Sequence, residues 1–383
     1  MERKRFLSYL ILIFLSTSAA QTFSDSFDDF LKSQRVEASE IKDDFQVYQE
    51  NYLDGFQQYK RTLSKEWKTL EVSNQDIWVS YSEDLKTKTV VDYLNNEIRI
   101  SYKTPTTTNS QSSITPTAFS GDLTSLLKIT EQQAIISDPV TQIKNSASNI
   151  EFNNHKRLLL GELSAFYGGA ENAKVQLKKI ATINQETTSS GEITTVTIPL
   201  PEQLPLKRAE KYFASAIKSA NKWGIEPALV MAIAHTESHF NPLARSHIPA
   251  FGLMQIVPGS AGKDASKLMT GESRLLTSTE LYDADFNLET GSAYLNLLQT
   301  RYLKGITNPT SRMYCVIAAY NTGSGNVAKA FVGRSSTEAA FKVINQLTPE
   351  QVYATLKKDL PYAETRRYIV KVIAHRKTYQ EII

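Results

Sequence analysis

The sequence contains a single cysteine, Cys315, in 383 residues, which excludes an internal disulfide as a source of stability. Cys315 lies in an apolar run and reads as a small buried core residue. Beyond the N-terminus no apolar stretch approaches the roughly 20 residues that a membrane-spanning helix needs. An excess of one charge is also missing: 43 Lys and Arg are interspersed with 40 Asp and Glu, for a net charge of +3. Without basic clusters there is no footprint for a nucleic-acid partner, while an anionic polymer is compatible as substrate.

What is present begins with a targeting pattern. Arg3, Lys4 and Arg5 precede the apolar run Phe6 to Leu15, and Ser18, Ala19 and Ala20 supply small residues for cleavage. Residues 1–20 therefore read as a secretory signal, with a mature chain starting near Gln21. The run is too short to span a bilayer, and no cysteine near residue 21 offers a lipidation site, so the expected product is exported and periplasmic without a lipid anchor.

From Ser24 to about Leu70 the period is helical, with Phe45, Tyr48, Tyr52, Phe56, Tyr59, Leu63 and Trp67 recurring every three or four residues. Such a stripe can stack on sugars, but core packing is the simpler reading. The period then changes to that of strands at Ile77 to Tyr81, Val90 to Leu94 and Glu97 to Tyr102, with Asn95 and Asn96 as a tight turn. Residues 104 to 120 read as an exposed loop. Helices follow at about Leu123 to Ile136 and between Lys156 and Ile180, and a last strand, Ile193 to Ile198, leads to Pro199, Pro201 and Pro205. The domain boundary is placed there. Residues 24–198 form an expected α+β N-terminal domain with a mostly antiparallel sheet, and residues 200–383 a mainly α-helical domain.

In the second domain, helices are expected from Lys207 to Trp223, with Gly224 as the stop, and from Pro227 onward, with Leu229, Val230, Ile233 and Ala234 on an apolar stripe. Further helices are expected at Ser278 to Leu281, after a cap at Asn287, from Pro309 to the break at Asn321, from the Thr348 capping box to about Leu356, and from Ala363 to Gln380.

Glu237 lies four residues after Ile233 and eight after Leu229, so it falls on the apolar stripe at a helix end. A carboxylate there loses hydration and its neutral form is favoured, which makes Glu237 a candidate proton donor. A Glu reaching water from a helix end is the competing explanation. Two metal patterns fail. Leu288 stands where a calcium loop starting at Asp283 needs Gly, and His235-Thr236-Glu237-Ser238-His239 lacks the order of a zinc-protease helix. No metal or cofactor is expected.

Five blocks then occur in order: Glu237-Ser238; Phe240-Asn241-Pro242 with Ala244 and Ser246; Gly252-Leu253-Met254-Gln255; Ala319-Tyr320-Asn321 with Gly323 and Gly325; and Glu364-Thr365-Arg366-Arg367-Tyr368. Together they resemble the lysozyme-like lytic transglycosylases. Gly262-Lys263-Asp264 and Asn308 to Arg312 extend the likeness.

The resemblance implies a lysozyme-like fold for residues 200–383, and cleavage of the MurNAc–GlcNAc β-1,4 bond of peptidoglycan with a 1,6-anhydro product. Peptidoglycan strands are then the partner, with peripheral association at the cell wall or outer membrane. By matching position, Glu237 becomes the acid and base. Ser246 would bond the acetamido group or the acid, Tyr368 would orient Glu237, Gln255 and Asn321 would bind sugar amides and hydroxyls, and Met254 and Tyr320 would wall the ring faces. From the residues alone, Met254, Tyr320 and Tyr368 also fit core packing, Ser246 and Asn321 fit caps, and Gln255 fits a turn. Most glycosidases need two carboxylates, but attack by the substrate's own acetamido group needs one. The alternatives are a hydrolysing muramidase with Asp264 or Asp285 as second acid, and a wall-binding protein without catalysis.

Overall fold

The computed structural model describes residues 44–104, 116–140, 157–188 and 191–383. The signal segment at 1–20 and residues 105–115 of the expected loop lie outside the described residues. Two compact units emerge, Met1–Tyr48 and Gln49–Ile383. Of the first, only the helical residues 44–48 are described.

The second unit opens with α1 (49–64), followed by β1 (Ile77–Tyr81), β2 (Thr87–Asp92), β3 (Glu97–Thr104), α2 (Pro116–Lys128) and α3 (Glu131–Ile136). Then come α4 (Gly161–Phe166), α5 (Ala170–Ile180), β4 (Thr182–Thr188) and β5 (Gly191–Pro199). The five strands form one antiparallel sheet in the order β1-β2-β3-β5-β4. Val91, Ile98, Ile100, Val196 and Ile198 are buried on one side of it, and Val90 is buried on the other. The edge strand β4, Thr-Ile-Asn-Gln-Glu-Thr-Thr, is exposed along nearly its whole length. It carries no alternation of apolar residues, which is why strand periodicity did not reveal it.

The aromatic stripe of α1 is core. Tyr52, Phe56 and Leu63 are buried, and Tyr52 meets Phe251 edge to face at 5.7 Å between ring centroids. Trp67 continues the spacing but lies beyond the helix end, where its indole Nε1 donates to the Leu85 carbonyl at 2.9 Å. The single helix expected over 123–136 is two. Thr130 caps α3, its hydroxyl accepting from Gln133 N at 3.1 Å while the Gln133 side chain accepts from Thr130 N at 2.9 Å, and this reciprocal cap ends α2 before it.

The remainder is helical: α6 (Leu204–Glu210), α7 (Phe213–Trp223), α8 (Pro227–Ser238), α9 (Lys263–Thr270), α10 (Ser278–Tyr282), α11 (Ala284–Leu297), α12 (Pro309–Thr322), α13 (Ser324–Val332), α14 (Thr337–Ile344), α15 (Pro349–Asp359) and α16 (Ala363–Gln380). The architecture is thus an α+β part followed by a mainly helical part, as expected. The helix expected from Lys207 to Trp223 divides where Lys211 reaches Glu131 at 2.8 Å and Tyr212 enters the core. Gly224, at φ 64, stops α7 in the left-handed conformation.

Helix α8 has no solvent face over most of its length, since every residue from Ala228 to Ala234 is buried. A helix apolar all round belongs in the centre of its domain, and α7, α11 and α16 pack on it. Asn287 does not cap a helix. Asp283 is the cap of α11, accepting from Phe286 N at 2.8 Å, and Asn287 lies inside that helix. Past Asn321 the chain breaks only at Gly323, at φ 80, and re-enters a helix at once.

Candidate active site

Glu237 occupies the last turn of α8, and the chain then reverses through two left-handed non-glycine residues, His239 at φ 51 and Phe240 at φ 61. Such angles persist where surroundings over-determine them. Here Phe240, 1% exposed, stacks on Tyr212 at 6.0 Å and meets Tyr379 edge to face at 6.1 Å, so burial holds the turn. The turn ends α8 with Glu237 half-buried.

Among the described residues Glu237 has no ion-pair partner. Burial pushes its carboxyl up to about 8, the Tyr368 hydroxyl lowers it, and the charge of Glu364 raises it further. Two phenols share its surroundings: Tyr368 from α16 and Tyr320 from α12 are each raised well above the ordinary tyrosine value, first by burial and next by the Glu237 charge. The Tyr368 hydroxyl adjoins the carboxyl without the geometry of a formed hydrogen bond, and it is otherwise unpartnered. Tyr320 is anchored by a 2.8 Å bond from its hydroxyl to the Met254 carbonyl, and its ring lies 5.6 Å from that of Tyr294. Asn321 follows it, its Oδ1 accepting from Thr365 Oγ1 of α16 at 2.7 Å, which turns the amide NH2 away from that contact.

The segment after α8 carries the other predicted residues. Gln255, at φ 47, donates through Nε2 to the Gly252 carbonyl at 3.0 Å, and its buried Oε1 has no partner. That oxygen is an acceptor to which a bound N–H could donate. Ser246 donates to the Ile248 carbonyl inside its own loop and makes no hydrogen bond to Glu237. Met254 departs from expectation: its side chain is 0% exposed and presses on Gly291, where a Cβ would stand 2.3 Å from its sulfur. It offers no face to a sugar ring. It supports the site from beneath, its carbonyl holding Tyr320.

Two residues went unassigned. Ser238, fully buried, donates to the Leu253 carbonyl at 2.8 Å and ties the end of α8 to this segment. Asn287 receives Met254 N at 2.8 Å and donates to the Phe251 and Leu281 carbonyls at 2.8 Å each. A Cβ on Gly252 would stand 2.4 Å from its Nδ2, so glycine and asparagine require each other. Ser238 belongs to the Glu-Ser block, but its buried bond to Leu253 leaves no local signal, and the partners of Asn287 are spread over 36 residues.

Of the histidines flanking Glu237, His235 packs on a histidine of α16. His235 stacks on His375 at 3.8 Å with ring planes 5° apart, and burial pushes the two down to about 3 and about 4.

A half-buried carboxyl with no cation beside it, next to two phenols, suits proton transfer to and from an oxygen of a hydroxyl-rich ligand. Comparison with known proteins agrees with this setting: residues 214–342 match the family Transglycosylase SLT domain. The matched stretch lies wholly within the helical part of the chain. It contains Glu237, Ser246, Met254, Gln255, Tyr320 and Asn321, and Tyr368 lies beyond it. Membrane-bound lytic murein transglycosylase C of Sodalis glossinidius is 44% identical over 198 residues, 52% of this chain and 55% of that protein. The protein of the same name from Cronobacter sakazakii is 46% identical over 188 residues, 49% of this chain and 51% of its own. The matched region thus spans about half the length of these relatives.

Proposed function

We propose that this chain is an exported lytic transglycosylase that cleaves the β-1,4 bond between MurNAc and GlcNAc in peptidoglycan and leaves a 1,6-anhydro-MurNAc end. Residues 200–383 are the catalytic domain in this reading and 24–198 the accessory domain. The names of the relatives supply the substrate class. The observation that carries the chemistry is the lone carboxyl of Glu237, raised to about 8 by burial with no cation to offset it.

At neutral pH such a group is mostly protonated. It gives its proton to the glycosidic oxygen as the C–O bond breaks, while the acetamido oxygen of the same MurNAc forms a bond to the anomeric carbon. The resulting carboxylate then takes the proton of the C6 hydroxyl, whose oxygen displaces the acetamido oxygen and closes the anhydro ring. The proton lost in the first step is regained in the second, and no water is consumed. Tyr368 meets the charged form of Glu237, Gln255 Oε1 and the Asn321 amide are set for the sugar's amide and hydroxyls, and Ser246 approaches the acetamido group through its loop.

A hydrolase would need a second carboxylate to activate water. Asp264 accepts from the Tyr302 hydroxyl at 2.7 Å and Asp285 from the Ser215 hydroxyl at 2.6 Å, so both hold structure together elsewhere. The carboxylate that acts on Glu237 is Glu364, exposed in the first turn of α16. Digestion of purified peptidoglycan with mass analysis of the fragments tests the reading. Anhydro products are expected; fragments heavier by one water, with reducing ends, would overturn it.

A further inference from the structure

The segment that carries Ser246 is a small hairpin: Ser246 N donates to Ala250 O at 3.1 Å, Gly252 N to Ala244 O at 2.9 Å, and Arg245 pairs with Phe251. Its two strands are held by different parts of the chain. The second, Phe251 to Met254, is gripped by the helical part through Ser238, Asn287 and Tyr320. The first, Asn241 to Ser246, is gripped from the α+β part. Arg245 N reaches the Asn74 carbonyl at 3.4 Å and Arg245 Nε the Ser73 carbonyl at 3.2 Å. Asn241 Nδ2 stands 3.4 Å from the carbonyls of both Asn74 and Gln75, and the Tyr52 hydroxyl of α1 donates to the Ser246 carbonyl at 3.2 Å.

The centre of this grip is a buried ion pair. Arg245 is 2% exposed, its Nη1 donates to Asp138 Oδ2 at 2.8 Å, and its guanidinium lies over the Phe56 ring at 5.7 Å. An apolar side chain would fill this place without the desolvation that burying two charges costs, so the pair is poor evidence of stabilisation. What it does supply is direction: the guanidinium fork fixes the backbone of Arg245, and hence of Ser246, against two separate segments of the α+β part.

We propose that Arg245, paired with Asp138, is a positioning residue for the transglycosylase reaction, setting through the backbone where Ser246 stands in the site. The inference rests on the proposed function above, in which Ser246 contacts the substrate. The α+β part then contributes to catalysis by holding one strand of the hairpin, with Tyr52 as a second tether on the same residue.

The experiment is a double-mutant cycle on the full chain, with kcat and KM measured on peptidoglycan fragments for Arg245→Met, Ser246→Ala and the pair. Each single variant is expected to lower kcat/KM about tenfold, and Arg245→Met is expected to add little once Ser246 is alanine. Independent, multiplying losses would overturn the proposal, as would Ser246→Ala with unchanged kinetics. Arg245→Met with Asp138→Leu replaces the pair by apolar volume. It should melt near the wild-type temperature and still show the reduced kcat/KM, and recovery of wild-type kinetics would overturn the idea. Should the arginine variants fail to fold, Tyr52→Phe decides the matter: a severalfold loss of kcat/KM at unchanged melting temperature is expected, and no loss refutes it. The products released by the wild-type protein report separately on the proposed function, so the two failures are distinguishable.

Discussion

The end of α8 and the face of the sheet each remove a glutamate from water, and they treat it in opposite ways. At Glu71 burial pulls the carboxyl upward, but the hydrogen bond and charge of Lys88 and then those of Arg99 outweigh it and hold the group below the usual carboxylate range. Lys88 Nζ and Arg99 Nη2 each lie 2.6 Å from its oxygens. At Glu237 burial acts with no cation against it, and the group is pushed up to about 8. A buried charge that is paired links elements of the fold, whereas one left unpaired becomes a neutral acid available for chemistry.

Changing Glu237 to Gln should break the comparison most sharply. Loss of the only acid and base in the mechanism is expected to lower the cleavage rate by about a thousandfold or more, in line with general acid–base catalysis. Melting temperature should not fall, and retention of wild-type lytic activity would refute the role of Glu237. Next in size is the pH dependence of the wild-type enzyme. The rate is expected to drop about tenfold per pH unit above about 8, where Glu237 loses the proton it must donate. A rate that keeps rising beyond pH 9 would contradict this.

The stabilities should move with opposite sign. Glu71→Gln is expected to cost about 1–3 kcal/mol at neutral pH, since Lys88 and Arg99 lose a charged acceptor. Because the folded pKa of Glu71 is depressed, its contribution is present above the unfolded value and disappears as pH falls through the folded one, so the deficit should close in acid. Glu237 has a raised folded pKa, so its stability is greatest below the unfolded value near 4.5 and declines as pH rises to about 8. Chemical denaturation of Glu237→Gln across that window should show the variant gaining on the wild type. The smallest effect is expected from Tyr368→Phe. Removing the hydroxyl that lowers Glu237 should move the basic limb of the rate profile above 8 and slow cleavage by about tenfold or less, the worth of roughly 1.5 kcal/mol for a bond to a charged group.

Helix ends were legible in the sequence where a local device marks them. Pro227 opens α8, the Thr348 box opens α15, and Gly224 closes α7. The device at Thr130 was there too, in Thr-Glu-Gln-Gln, but continuous apolar spacing across it masked the break between α2 and α3. The polar edge strand β4 left no periodic signal because neither of its faces is buried. At the site, position along α8 made Glu237 a candidate, and the ordered blocks after it singled it out. Met254 was not separable in this way: a thioether beside Gly252 reads the same whether it faces a sugar or, as here, Gly291.

The sequence alone determined most of the helical framework, the turn that joins β2 to β3, and the carboxylate placed on an apolar stripe, because each follows from chemistry within a few residues of itself. Only the tertiary structure decided that this carboxylate would lack a cation, that Tyr320 and Tyr368 would stand beside it, and that Asn287 would hold the segment from Phe251 to Met254. It alone also brought Arg245 to Asp138, 107 positions away, and so joined the two parts of the chain at Ser246. Such contacts depend on how distant segments share one interior, and local spacing holds no record of which partner each buried group will meet.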